Sequence, residues 1–209
     1  MHIAQCYITR DAQNLIDHNT LAHQAFQEIT DAVNSMTTVI NNTKKNCNGV
    51  VPLKEPCYCT LEEIYNWYRE KPLDVLTKKG GPIDVYKSFE DENSRFNVGI
   101  EFETGNISSA HRAMNKLSLG VHNGELHLAV LMMPMRTLSY YLTDRVSNYE
   151  ELEPYFSLVA NIPFIMIGFD VENYSLEATY LPKGKDGMSD RAVHKWKKTK
   201  TTKKKKTTT

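Results

Sequence analysis

The chain has 209 residues, of which 41% are apolar, 24% charged and 10% aromatic, a composition that suits one folded domain and excludes disordered and fibrous classes. Its 25 basic and 25 acidic residues cancel, but unevenly: residues 183–209 hold eleven bases against two acids, whereas the first 182 hold 14 bases and 23 acids. A basic C-terminal segment on an acidic body suits a polyanion partner, because each lysine or arginine that neutralises a phosphate releases counterions. No apolar run approaches the roughly 18 residues needed to span a bilayer, and the start at Met1-His2-Ile3 has no basic stretch leading into an apolar one. Neither a membrane nor an export signal is expected. Cys6, Cys47, Cys57 and Cys59 form no CxxC pair and no Cys/His spacing suited to zinc, so no zinc and four free thiols in a reducing cytoplasm are expected.

From Asp11 to Met36, apolar residues at Leu15, Ile16, Leu21, Ala25, Phe26, Ile29, Ala32 and Val33 predict a helix with a buried face. A polar, turn-rich segment follows at Asn41 to Gly49. Thr60 with Glu63 three residues on has the form of a capping box opening a second helix, with Leu61, Ile64, Trp67 and Tyr68 as its apolar stripe. Gly80-Gly81-Pro82 breaks the chain and releases a short strand at Ile83 to Tyr86. Phe96 to Glu103 is the next strand, with Val98, Ile100 and Phe102 on one side and Glu101 and Glu103 on the other. Asn106 or Ser108 can cap a helix that runs to Leu119 and stops at Gly120. Leu126 to Met133 is a continuous apolar run suited to a strand covered on both faces, ended by Pro134. Met135 to Leu142 and Tyr149 to Val159 read as helices, and Pro163 to Gly168 as another buried strand. Strands alternating with helices imply an α/β fold around a mixed sheet.

The segment that carries chemistry is Pro82-Ile83-Asp84, followed after a gap by Glu101-Phe102-Glu103. Residues two apart on a strand point the same way, so Glu101 and Glu103 stand side by side, and an aspartate leaving the neighbouring strand can join them on hard divalent cations, which prefer oxygen ligands. Such a site can hydrolyse a phosphodiester. On its own the pattern is unspecific, since outward-facing strand acids are ordinarily solvated.

The surrounding text is specific. Gly80-Gly81-Pro82-Ile83-Asp84-Val85-Tyr86-Lys87, Glu101-Phe102-Glu103-Thr104-Gly105-Asn106-Ile107-Ser108-Ser109-Ala110-His111-Arg112, Tyr65-Asn66-Trp67-Tyr68-Arg69-Glu70-Lys71-Pro72 and Tyr140-Tyr141-Leu142-Thr143-Asp144-Arg145-Val146 closely resemble the BamHI family of type II restriction endonucleases, over about Asn41 to Trp196. The resemblance implies a PD-(D/E)xK nuclease fold, a central mixed sheet flanked on both faces by helices, in which Glu103 stands where most such enzymes have a lysine. It implies Mg²⁺ as cofactor, two per active site, with Mn²⁺ able to substitute and Ca²⁺ inhibitory. Asp84, Glu101 and the backbone carbonyl of Phe102 would ligate the metal, Glu70 would complete the site, and Glu103 would act as general base or orient the water. The implied function is hydrolysis of double-stranded DNA at a palindrome, GGATCC, leaving 5′-phosphates and staggered ends, in a prokaryotic cytoplasm.

By the same resemblance Asn106, Ser108, Arg112, Asp144 and Arg145 would read bases, which suits their chemistry: arginine bonds guanine, aspartate accepts from cytosine and asparagine reaches adenine. Lys54 would contact phosphate. Gly184, Asp186 and Met188 would belong to an arm, about 183–198, that enters the minor groove. One domain over residues 1–198 is implied, with the basic Thr/Lys tail 199–209 unable to pack. A palindrome is matched by a homodimer, implied to pair through 107–121 and 149–159. There the chain departs from the pattern of the family it resembles, in which two basic side chains face acidic ones: His122 and Asn123 stand at the basic positions, Ser157 and Ala160 at the acidic ones. Two other readings of the same fold are a DNA-binding protein without catalysis and a repair nuclease that selects DNA structure.

Overall fold

A computed structural model describes residues 1–75, 80–92, 94–143 and 145–183. The first element is one the apolar pattern did not mark: His2–Ile8 (β1) is an edge strand whose side chains are half or fully exposed, so it lacks the apolar run that marks an interior strand. The helix expected from Asp11 to Met36 is two, Arg10–His18 (α1) and Thr20–Asn34 (α2). Asn19 breaks them, because its backbone is extended and its side chain accepts from the N–H groups of Leu21 and Ala22, capping α2. Val39–Asn41 (β2) follows, and Val51–Cys59 (α3) runs on into a wider π turn at Thr60–Ile64. Thr60 is therefore helical backbone, not the expected cap, and its hydroxyl bonds that of Ser35. Of the stripe predicted there, Leu61 and Trp67 are buried, but Ile64 and Tyr68 are 65% and 66% exposed, since the chain turns and enters Tyr68–Lys71 (β3).

The sequence then forms Ile83–Glu90 (β4), Arg95–Phe102 (β5), Ile107–His122 (α4), Leu128–Pro134 (β6), Arg136–Tyr141 (α5), Tyr149–Leu152 (α6), Phe164–Asp170 (β7) and Asn173–Ser175 (β8). After Leu152 the helix tightens to a 3-10 turn over Glu153–Val159, with Pro154 at its start. Gly120 does not stop α4. It is buried inside the helix, where a Cβ would lie 2.8 Å from both Leu126 and Leu73, so its smallness brings α4 close to the sheet. The stop is Asn123 followed by Gly124, whose φ of +72° suits glycine.

Six strands form one sheet in the order β1-β7-β6-β5-β4-β3, and β2 with β8 forms a small second one. β5, β6 and β7 run parallel; β3, β4 and β1 pair antiparallel with their neighbours. Alternate residues feed two cores. Val98, Ile100, Val130, Ile165 and Ile167 pack beneath α2 and α3, while Leu131, Met133 and Met166 pack beneath α4 and α6. All seven residues of β6 are buried, which is why that strand is an unbroken apolar run.

Candidate active site

The hydrogen-bonded register of β4 with β5 ends at Val85 opposite Ile100. Beyond it the side chains take over: Asp84 Oδ2 accepts from the N–H of Phe102 at 3.0 Å, and Glu101 Oε1 accepts from the N–H of Asp84 at 3.2 Å. Two carboxylates on adjacent strands are thus locked together where the strands end. Tyr58, on α3, donates its hydroxyl to the same Asp84 Oδ2 at 3.0 Å. Burial first, and the Asp84 charge and hydrogen bond next, hold that phenol well above its ordinary range. Glu103 follows β5 directly, its N–H donated to Met132 O at 2.8 Å and its Oε1 accepting from Gly105 N–H.

This arrangement is short of positive charge. Burial, and then the neighbouring Asp84, push Glu101 up from 4.5 to about 7, against the pull of Lys116. Burial raises Glu103 as well, with the Gly105 N–H opposing it. The ammonium of Lys116 lies 2.5 Å from Glu101 Oε1 and 2.6 Å from Pro82 O. Gly120 on α4 and Gly99 on β5 both pack against Leu126, from which a Cβ at either would lie 2.8 Å.

The carboxylates open onto a cleft of about 1480 Å³, above the range of small-ligand pockets. Glu70, Asp84, Glu101, Phe102, Glu103, Lys54, Asn106, Arg112 and Arg145 all line it, so nine of the residues singled out in the sequence share one surface. Ser108 stands nearby on the exposed start of α4 but is not among the lining residues. Glu70 lies in edge strand β3, not near a helix end, and is exposed. Asp144, Gly184, Asp186 and Met188 lie outside the described residues, as does nearly all of the arm.

Four described non-glycine residues have positive φ: Asn46, Asn66, Glu70 and Arg145. Asparagine tolerates that conformation, but for the other two it costs about 1 kcal/mol each. Both strained residues line the cleft, at positions 70 and 145. Asn106 caps α4, its Oδ1 accepting from Ser109 N–H at 3.1 Å, and Gly105 O accepts from Ser147 N–H at 2.7 Å, which ties the loop carrying Arg145 to the turn before α4.

Sequence reasoning missed Lys116, Tyr58 and Arg69, which also line the cleft. Lys116 was open to discovery, being one helical turn beyond Arg112 and two beyond Ser108. Tyr58 and Arg69 carried no local signal. Arg69 pairs with Glu55 at 3.0 Å and stacks on Tyr58 at 4.6 Å.

The family model for restriction endonuclease BamHI matches residues 1–188. The chain belongs to the BamHI family of type II restriction endonucleases. It is 55% identical over 207 residues to the type II restriction enzyme BamHI of Bacillus amyloliquefaciens, covering 94% of this chain and 97% of that one. The type II restriction enzyme OkrAI of Oceanobacter kriegii is 34% identical over 177 residues, covering 78% and 88%. Restriction endonuclease BglII, solved in complex with a DNA 16-mer, superposes with a TM-score of 0.60 over 81% of this chain and 78% of its own, at 13% identity. The fold is thus the expected PD-(D/E)xK nuclease core, a central mixed sheet flanked by helices.

The donors present fit a hard divalent cation. Among the described residues no group of three or more His, Cys, Asp or Glu is placed to hold a metal ion by itself, but Asp84 and Glu101 offer carboxylate oxygens side by side at one strand end. Mg²⁺ favours such partial sites, since it keeps several waters and takes substrate phosphate oxygens. The charge of the cleft agrees, its described lining having seven acids and five bases; a polyanion meets that surface favourably once cations are added.

Proposed function

We propose that this chain hydrolyses double-stranded DNA at a palindromic site, GGATCC, in a Mg²⁺-dependent reaction that leaves 5′-phosphates and staggered ends. The carrying observation is the reciprocal clamp of Asp84 and Glu101 across β4 and β5, with Glu103 two residues on. Asp84, Glu101 and the Phe102 carbonyl would hold the cation, with Glu70, across the cleft on β3, as the further carboxylate for a second one. Bound there, Mg²⁺ supplies Lewis-acid polarisation of the phosphate and acidifies water; Mn²⁺ substitutes, whereas Ca²⁺ binds without supporting turnover. Glu103 accepts the proton of the attacking water, a role suited to a carboxyl whose proton affinity burial has raised. Water attacks phosphorus, the 3′ oxygen leaves in line, and the phosphate stays on the 5′ end.

Arg112 and Arg145 offer guanidinium groups to guanine, and Asn106, whose Oδ1 is held as a cap, offers its amide N–H to base or phosphate acceptors. Ser108 and Asp144 contribute to the same reading face, and Lys54 holds backbone phosphate. The arm with Gly184, Asp186 and Met188 would approach the minor groove. A homodimer reads the two half-sites through α4 and the 153–159 turn, which pack together through His111 and Tyr155 at 4.4 Å and leave Leu119, Tyr155 and Leu158 at 44%, 43% and 72% exposure. Such side chains together on one surface suit a protein partner. His122, Asn123, Ser157 and Ala160 carry no opposed carboxylates and ammonium groups, so apolar contact replaces charge pairing there.

No helix among the described residues is long and apolar enough to cross a membrane. Four free cysteines, with buried Cys57 pushed up to about 12, suit the reducing cytoplasm of a prokaryotic host.

The test is digestion of plasmid DNA with Mg²⁺, with Ca²⁺ as control, followed by sequencing of the cut ends. Discrete fragments with 5′-phosphates at GGATCC are expected. Binding without fragments under any salt condition refutes the catalytic reading, and cuts at flaps or mismatches replace the palindrome with a DNA structure as the target.

A further inference from the structure

One nearly buried cation that the reaction above does not use meets the clamp: the Lys116 ammonium, which also donates to the carbonyl of exposed Pro82. The lysine side chain is 11% exposed and its partner Glu101 is 8% exposed. Its Nζ sits 2.5 Å from Glu101 Oε1 and 2.6 Å from Pro82 O. A divalent cation shared by Asp84 and Glu101 needs contact with the same carboxylate, and an ammonium with a divalent ion at neighbouring positions repel strongly in a buried site.

Lys116 is also placed to register DNA. Ser108, Arg112 and Lys116 follow at four-residue steps on α4 and so share one face. Arg112 is exposed at the cleft, whereas Lys116 is folded inward to the carboxylates. A polyanion drawn to that face pulls on both cations.

We infer that Lys116 is the resident counter-cation of the active site: it occupies Glu101 in the DNA-free protein and yields that oxygen when α4 engages DNA, so that divalent metal is admitted only in the complex. Lys116 is a positioning residue, acting on the metal site through Glu101. The inference rests on the proposed metal role of Asp84 and Glu101.

The test is Ca²⁺ titration calorimetry at pH 8 on the wild-type protein, Lys116→Met, Lys116→Gln and Lys116→Arg, each alone and with a duplex carrying GGATCC. The wild type alone binds Ca²⁺ weakly and tightens with DNA. Either neutral variant, without DNA, binds Ca²⁺ at least about tenfold more tightly than wild type, or about 1.4 kcal/mol, and Lys116→Arg restores the wild-type pattern. Damage to the fold weakens metal binding, so a gain separates this role from a structural one. Equal or weaker binding by a folded neutral variant overturns the inference, as does tight DNA-independent binding by the wild type, which needs no variant. Ca²⁺ binding to the DNA complex that persists unchanged on Asp84→Ala, with Lys116 intact, overturns instead the metal role of the carboxylates.

Discussion

Two buried lysine–glutamate pairs lie on either side of the sheet, and they differ instructively. Lys87 and Glu28 join β4 to α2, with the ammonium 3.0 and 2.8 Å from the two carboxylate oxygens. Trp67 Nε1 and Gln24 Nε2 donate to the same carboxylate, and Lys87 also donates to Tyr65 O. One charge meets one charge, and the hydrogen bonds are filled. Lys116 and Glu101 have equally close geometry, but Asp84 and Glu103 stand beside them, so the negative charge exceeds what one ammonium offsets. A balanced buried pair fixes packing; an unbalanced one at a cleft is where the proposed external cation would be stabilised.

The contrast can be broken most directly at Asp84. Asp84→Ala is expected to lower cleavage by about 10³-fold or more, the scale of lost metal-assisted charge stabilisation, while thermal melting shifts by a few degrees at most; an active variant would dissolve the distinction. The converse change, Lys87→Met, leaves Glu28 without its cation and should cost about 3 kcal/mol in denaturant unfolding, with cleavage per folded molecule unchanged.

The charge excess also sets a pH dependence. Because Glu101 titrates near 7 in the folded protein, against 4.5 ordinarily, the folded state holds its proton more tightly than the unfolded chain. Stability therefore falls as pH rises through that window, by roughly 3 kcal/mol, and cation binding strengthens as the carboxylate forms. Glu101→Gln should remove that share of the slope in urea titrations at pH 5 and 8; an unchanged slope would place the charge excess elsewhere. The smallest effect is expected from Tyr58→Phe, which deletes one donor to Asp84: about tenfold in cleavage rate at most, with the melting temperature nearly unchanged.

The legible parts of this molecule were those with strong local pattern. The apolar run of β6, the alternation of β5 and the carboxylates on its polar side follow from side-chain period alone. Edge strands β1 and β3 did not, because half-exposed strands carry mixed residues and their pairing with β7 and β4 is long-range. The break at Asn19 and the π turn after α3 were hidden for another reason: Asn19 is polar within an amphipathic pattern, and Thr60 with Glu63 imitates a cap inside a continuous helix. At the site, Asp84, Glu101 and Glu103 were visible through strand spacing and family resemblance, whereas Tyr58 comes from a separate element that only the tertiary fold brings to Asp84, and Arg69 reaches the cleft against Tyr58 and Glu55. Lys116 was legible in part, since its spacing from Arg112 put it on the right face while nothing local showed that the face turned inward.

In the proposed reaction the carboxylates at the ends of β4 and β5 perform DNA cleavage, with Glu103 taking the proton of the attacking water. It is tested most directly by Glu103→Ala, assayed side by side for binding and for Mg²⁺-dependent cutting of one duplex carrying GGATCC. Binding at wild-type affinity with no strand cleavage above background is expected; a Glu103→Ala protein that cuts at the wild-type rate would remove Glu103 from the chemistry.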